Sequence, residues 1–163
     1  KFFDNFNDAK QMNKLTPCLW FDNNAEEAFE FYKTVFKNTK LISADKMPDG
    51  KTILVFFEIE GQQFMALNGG PIFKHSEAFS LYVDCKSQAE VDELWEKLTA
   101  DGGAESMCGW LRDKFGISWQ IVPERLIQLM KDKDPVRSKK VMDAMLQMKK
   151  IDIKKIEEAY ESK

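Results

Sequence analysis

A chain that runs twice through the same order of elements has few folds open to it. Residues 15–70 read as strand, helix, strand, strand, strand, and residues 79–123 read the same way. The two helices align at a single offset: Ala25 with Ala89, Glu26 with Glu90, Phe31 with Trp95, Lys33 with Lys97. Amphipathic helices share a period, so a helix match alone would carry little weight. The repeat also reproduces a strand before each helix, a cap and a closing strand pair. That points to a duplicated β-α-β-β-β module. Two such modules make an α+β protein, in which helices lie on the outer face of a curled mixed sheet around a cavity.

The local signals set the boundaries. Leu15 to Phe21 is an apolar run, and Asp22-Asn23-Asn24 stops it and offers N-caps, with Glu26 and Glu27 in the first helical turn. Ala28, Phe31, Tyr32, Val35 and Phe36 give the helical period. Strands follow over 40–47, 52–59 and 63–67, and Asn68-Gly69-Gly70-Pro71 ends the module. In the second half, a strand over 79–84 leads to Ser87, with Glu90 three residues on as in a capping box. The helix runs to Leu98 and Asp101-Gly102-Gly103 stops it. Beyond Pro123, helices are expected over 124–131, 136–150 and 152–160, and the middle one carries Val141, Met142, Met145, Leu146 and Met148. The modules therefore span about 14–70 and 77–123, within one domain of residues 13–163 whose C-terminal helices cover about 124–161. Residues 1–12 read as an N-terminal extension, with Phe2, Phe3 and Phe6 as a possible docking arm.

Composition narrows the function classes. With 44% apolar residues the 163-residue chain can bury a substantial core. A net charge of −3 argues against a nucleic-acid partner, which calls for a concentrated basic surface. No apolar run approaches the roughly 20 residues that span a bilayer, so no membrane role and a cytoplasmic location are expected. Cys18, Cys85 and Cys108 are widely spaced and read as reduced core thiols.

The segment from Cys108 to Pro123 is a strand, a turn over Asp113–Gly116 and a second strand. In that second strand Ser118, Gln120 and Val122 share one face, and Trp119 and Ile121 take the other. Further landmarks are Thr16-Pro17-Cys18-Leu19-Trp20-Phe21-Asp22, Ala25-Glu26-Glu27-Ala28, Asn68-Gly69-Gly70-Pro71 and Val141-Met142-Asp143-Ala144-Met145. In this order and spacing they resemble the PhnB-like family of the glyoxalase/bleomycin-resistance/dioxygenase (vicinal oxygen chelate) superfamily. The resemblance covers residues 14 to about 160. The family is often labelled 3-demethylubiquinone 3-methyltransferase-like, yet no strand here runs into a Gly-x-Gly loop opening a helix.

In metal-dependent members of the superfamily, side chains from the first and last strands of each module hold a divalent ion. The resemblance places those positions at Pro17, Ala66, Ala78 and Gln120, which offer one neutral oxygen between them. No metal and no cofactor are therefore expected. His75 with Glu77 is the other conceivable ligand pair, and it reads as a solvated loop ahead of a strand. Cys108 lacks a sequence neighbour that would activate it, Trp20, Trp95, Trp110 and Trp119 read mostly as core, and the lysines at 149–150 and 154–155 read as a solvated face. Counting from the ligand-equivalent positions, the cavity lining is expected to be Leu19, Phe21, Asn68, Ser80, Tyr82 and Gln120. The resulting expectation is a protein that binds a small hydrophobic or aromatic molecule. An enzyme of the same superfamily and an assembly protein plugged by Phe21, Phe64 or Tyr82 are the alternatives. A homodimer is expected from the resemblance and from the apolar stripe of the long C-terminal helix.

Overall fold

Parallel pairing of the first strand with the last defines each half of the chain. In the computed structural model, which describes residues 12–162, the elements of the first half are β1 (Cys18–Phe21), α1 (Ala25–Val35), β2 (Thr39–Lys46), β3 (Thr52–Ile59) and β4 (Gln62–Asn68). The second half repeats them as β5 (Ser80–Cys85), α2 (Gln88–Thr99), β6 (Ala104–Glu105), β7 (Trp110–Arg112) and β8 (Ser118–Pro123). The strand orders are β1-β4-β3-β2 and β5-β8-β7-β6, so the two four-stranded mixed sheets share one topology. In each, the first and last strands are parallel and the other neighbours antiparallel. The chain divides into two compact units between Lys74 and His75. The extension read at residues 1–12, with its three phenylalanines, lies outside the described residues except for Met12.

In the first unit α1 covers one face of its sheet. Phe29 and Tyr32 pack on Phe57, which stacks on Phe64. The register puts Leu19 opposite Ala66, Phe21 opposite Asn68, and Val55 opposite Ala66, so all of these share the face of Phe57 and Phe64. Tyr32 and Phe57 are fully buried, the centre of this core. β1 begins at Cys18 rather than Leu15, because Pro17 has no N–H for the ladder; Leu15 is 88% exposed.

The start of α1 is capped in an unexpected way. Asn24 holds the N-cap position but makes no side-chain cap bond. Instead Asn68, at the far end of β4, accepts from the Ala25 N–H at 2.9 Å and donates to the Thr52 carbonyl at 3.1 Å. One buried amide thus ties the helix start to β3 and β4. In α2 the local signal holds: Ser87 Oγ accepts from the Glu90 N–H at 3.2 Å, and Glu90 accepts from the Lys86 N–H at 2.7 Å.

In the second unit α2 lies on the face of Leu111 and Trp119. Trp95 donates from its indole to Glu105, whose register partner is Leu111, itself opposite Trp119. The β7–β8 turn is fastened by buried Asp113, which accepts from the Phe115 and Ile117 N–H groups and from the Trp119 indole at 2.9–3.0 Å. Gly116 closes that turn at φ 89°, a value that strains any residue with a Cβ.

Three helices follow: α3 (Glu124–Met130), α4 (Pro135–Met145) and α5 (Ile153–Glu161). Leu126, Leu129, Val141, Ile151 and Ile156 form a core with Val122 of β8. α4 stops five residues before the expected Lys150. The chain there turns so that the Met148 and Lys149 carbonyls accept from the Cys108 and Gly109 N–H groups at 2.7 and 2.8 Å. The Gln88 side chain adds two bonds, donating to the Ile151 carbonyl and accepting from the Ile153 N–H. Among the described residues no helix is long and apolar enough to cross a membrane.

The Asn68 clamp yields a direct comparison. Asn68→Ala leaves a buried helix N–H and a half-buried carbonyl without their Asn68 partner and is expected to cost about 1–3 kcal/mol in urea unfolding. Asn24→Ala, which removes no cap bond, is expected to cost less than about 0.5 kcal/mol.

Candidate functional site

Each sheet has one face closed by its helix and a second face that the same helix does not touch. The candidate residues fall on both. Leu19, Phe21 and Asn68 lie on the α1 face, at 2%, 3% and 8% exposure. Strand alternation turns Cys18, Trp20, Met65 and Leu67 to the other face instead. The phase is therefore one residue from the expected one in the first module. Ala66, read as a ligand-equivalent position, is likewise buried on the α1 side.

In the second module Ser80, Tyr82 and Gln120 lie away from α2, as the alternation predicts, while Leu81, Val83, Trp119 and Ile121 face it. The structure brings these three together. Tyr82 stands directly opposite Gln120, and the Gln120 amide donates to Ser80 Oγ at 2.9 Å. On the other side of β8, Trp110 is the register partner of Gln120 and Arg112 that of Ser118. Tyr82 is 50% exposed, and burial, then the Asp84 carboxylate, pushes its phenol above the ordinary value, so it stays a neutral donor. Asp84 is itself held by Lys86 at 2.5 Å. The sequence reading named Gln120, Ser80 and Tyr82 but passed over Arg112 and the Ser118 hydroxyl. The strand pairing that aligns them was the missing signal.

The remaining motifs take structural places. Gly69 makes room for Trp20, since a Cβ there would sit 2.2 Å from the indole ring, and Trp20 donates to the Gly70 carbonyl at 2.8 Å. Asn68-Gly69-Gly70-Pro71 is thus a packing turn. His75 and Glu77 lie in the loop before β5, and Ala78 in the turn that follows, so none of them is on a strand. Pro17 has a structural part, its carbonyl accepting from the Met65 N–H at 2.9 Å. Of Pro17, Ala66, Ala78 and Gln120, three carry no side-chain donor atom, and Gln120 offers one neutral oxygen, its amide nitrogen donating to Ser80. Among the described residues no three His, Cys, Asp or Glu side chains gather in one place.

Residues 13–122 match the model of the family described as 3-demethylubiquinone-9 3-methyltransferase. The chain belongs to this PhnB-like family. The PhnB protein from Bacillus cereus is 33% identical, over 66% of this chain and 97% of its own, with a TM-score of 0.61. A Pseudomonas aeruginosa protein at 20% identity covers 66% of this chain and 95% of its own, with a TM-score of 0.53. The fosfomycin resistance protein FosX from Listeria monocytogenes, solved with Mn(II) and sulfate, is 17% identical with a TM-score of 0.52, over 68% of this chain and 90% of its own. The last two share the fold. No curated protein matches the chain. In PhnB-like terms, the match ends at the close of β8, and α3–α5 lie beyond it.

The expectation of three core thiols holds for one of them: Cys85 is buried, whereas Cys18 at the start of β1 is exposed and Cys108 in the loop before β7 is half-buried. Cys85 is fully buried, and burial, then Glu90 and Asp84, pushes its thiol up to about 12. Its native state keeps the proton while the unfolded state loses it near the ordinary thiol value of about 8.5. This contribution to stability is whole below that value and is lost as pH rises toward 12. Unfolding titrations between pH 8 and 11 are therefore expected to show a shallower alkaline loss of stability in Cys85→Ala than in the parent chain.

Proposed function

We propose that this PhnB-like protein binds a small hydrophobic or aromatic molecule against the face of its second sheet that α2 does not cover, at its Tyr82–Trp110 end. The observation that carries the reading is the row Tyr82–Gln120–Trp110: two aromatic side chains flank an amide already oriented by Ser80, on a sheet face that α2 leaves uncovered. The ring faces supply apolar area, and the oriented amide supplies directional bonding. Binding, rather than the methyl transfer in the family's description, is the reading the residues favour. The poor donor set at the superfamily's ligand positions further supports a metal-free site.

The test is titration with N-phenyl-1-naphthylamine, a neutral aromatic dye. A saturable one-to-one fluorescence rise is expected, weakened at least about tenfold by Tyr82→Ala, with a matching rise in Tm of the parent chain. Mn(II) added to the same assay is expected to change neither signal. Absence of saturable binding by the folded protein would overturn the reading.

We also propose a homodimer. Val141 is buried within the chain, but Met142, Leu146 and Val136 of the same helical segment are 43%, 48% and 60% exposed. That apolar area supports association at roughly 25 cal/mol per Å² buried. Sedimentation at micromolar concentration is expected to give twice the chain mass; a monomer throughout would exclude it.

A further inference from the structure

The row beside Tyr82–Gln120–Trp110 has a different character. It runs Ser80–Ser118–Arg112 across β5, β8 and β7. Directly opposed residues in a sheet bring their Cβ atoms to about 4.5–5.5 Å, so the row is a continuous stripe. Every side chain in it is a hydrogen-bond donor, and none is an acid.

Two observations mark this stripe as incomplete. Ser118 is 2% exposed, and its buried Oγ has no hydrogen-bond partner among the described residues. Native proteins leave few such groups, because an unpaired buried hydroxyl loses its water for nothing. Next to it, the exposed Arg112 guanidinium has no carboxylate partner among the described residues. Ser80 completes the set. Its Oγ accepts from the Gln120 amide, which leaves its own proton to be donated. The acid nearest along this face, Asp84, is taken up by Lys86, and Glu105 serves Trp95 on the α2 side.

Two hydroxyl donors and a planar guanidinium, short of an acceptor, fit an anionic oxygen group, and the fork of an arginine matches a carboxylate with two parallel bonds. The aromatic side chains of Tyr82 and Trp110 stand one row away. We propose that the ligand of this face is an aromatic carboxylate, its acid group on Ser80, Ser118 and Arg112 and its ring against Tyr82 and Trp110. The proposal rests on the small-molecule reading above and specifies its chemistry.

Calorimetric titration of the full chain with 2-naphthoate and with its neutral isostere 2-naphthamide tests it. The acid is expected to bind at least about tenfold more tightly, with a preference that shrinks as salt is raised. Arg112→Gln is expected to abolish the preference by weakening naphthoate at least about tenfold more than naphthamide. Ser118→Ala is expected to weaken naphthoate without lowering Tm, since it removes a hydroxyl that has no partner in the free protein. Equal affinities, or a preference that survives Arg112→Gln, would overturn the carboxylate and leave the small-molecule reading standing. Failure of both compounds to bind would overturn the two together.

Discussion

The parallel pairing of β1 with β4, and of β5 with β8, governs the rest of this molecule. Parallel neighbours cannot be joined by a tight turn, so a long crossover must intervene, and here it carries a helix in each module. In each module that helix packs on one face of a four-stranded sheet and buries the module's core, Phe57 and Tyr32 under α1, Trp119 and Leu111 under α2. One helix can close only one face. A second face that this helix does not reach follows from the connectivity rather than from any single residue, and in the second sheet α3–α5 cover its Val122 end.

The two faces also differ in their polar accounting. On the helix-covered sides, the demands are met by specific partners: Asn68 serves Ala25 and Thr52, Asp113 serves the β7–β8 turn and Trp119, and Trp95 reaches Glu105. The two buried side-chain groups left unpaired among the described residues, the hydroxyls of Ser43 and Ser118, both belong to residues registered on the other faces, Ser43 opposite Phe56 and Ser118 opposite Arg112.

How much of this was legible in the chain depended on whether each signal was local. The duplicated element order, the Ser87 cap and the Asp113–Gly116 turn are written within a few residues and were found where expected. β8 alternates polar with aromatic and aliphatic residues, so the phase of Ser118 and Gln120 was readable. β1 does not: Cys-Leu-Trp-Phe is apolar throughout and says nothing about which side faces in. Asn68 misled for the same reason. A polar residue at a strand end reads as pocket lining, and its true partner lies 43 residues away at a helix start. Arg112 was missed because a lone arginine on a short strand means little until pairing sets it beside Ser118.

The fastening of α3–α5 has a consequence for where such a chain can be shortened. The Cys108 and Gly109 N–H groups find their acceptors only in the Met148–Lys149 turn, and Val122 of β8 is buried by helices outside the stretch that matches the family. A segment that supplies hydrogen bonds to buried backbone cannot be removed without cost. Shortening the chain before Met148 would strand those amides, and removing α3–α5 altogether would also wet that valine. The helices are thus a structural part of the second unit, supplying acceptors and apolar cover that its sheet does not provide for itself.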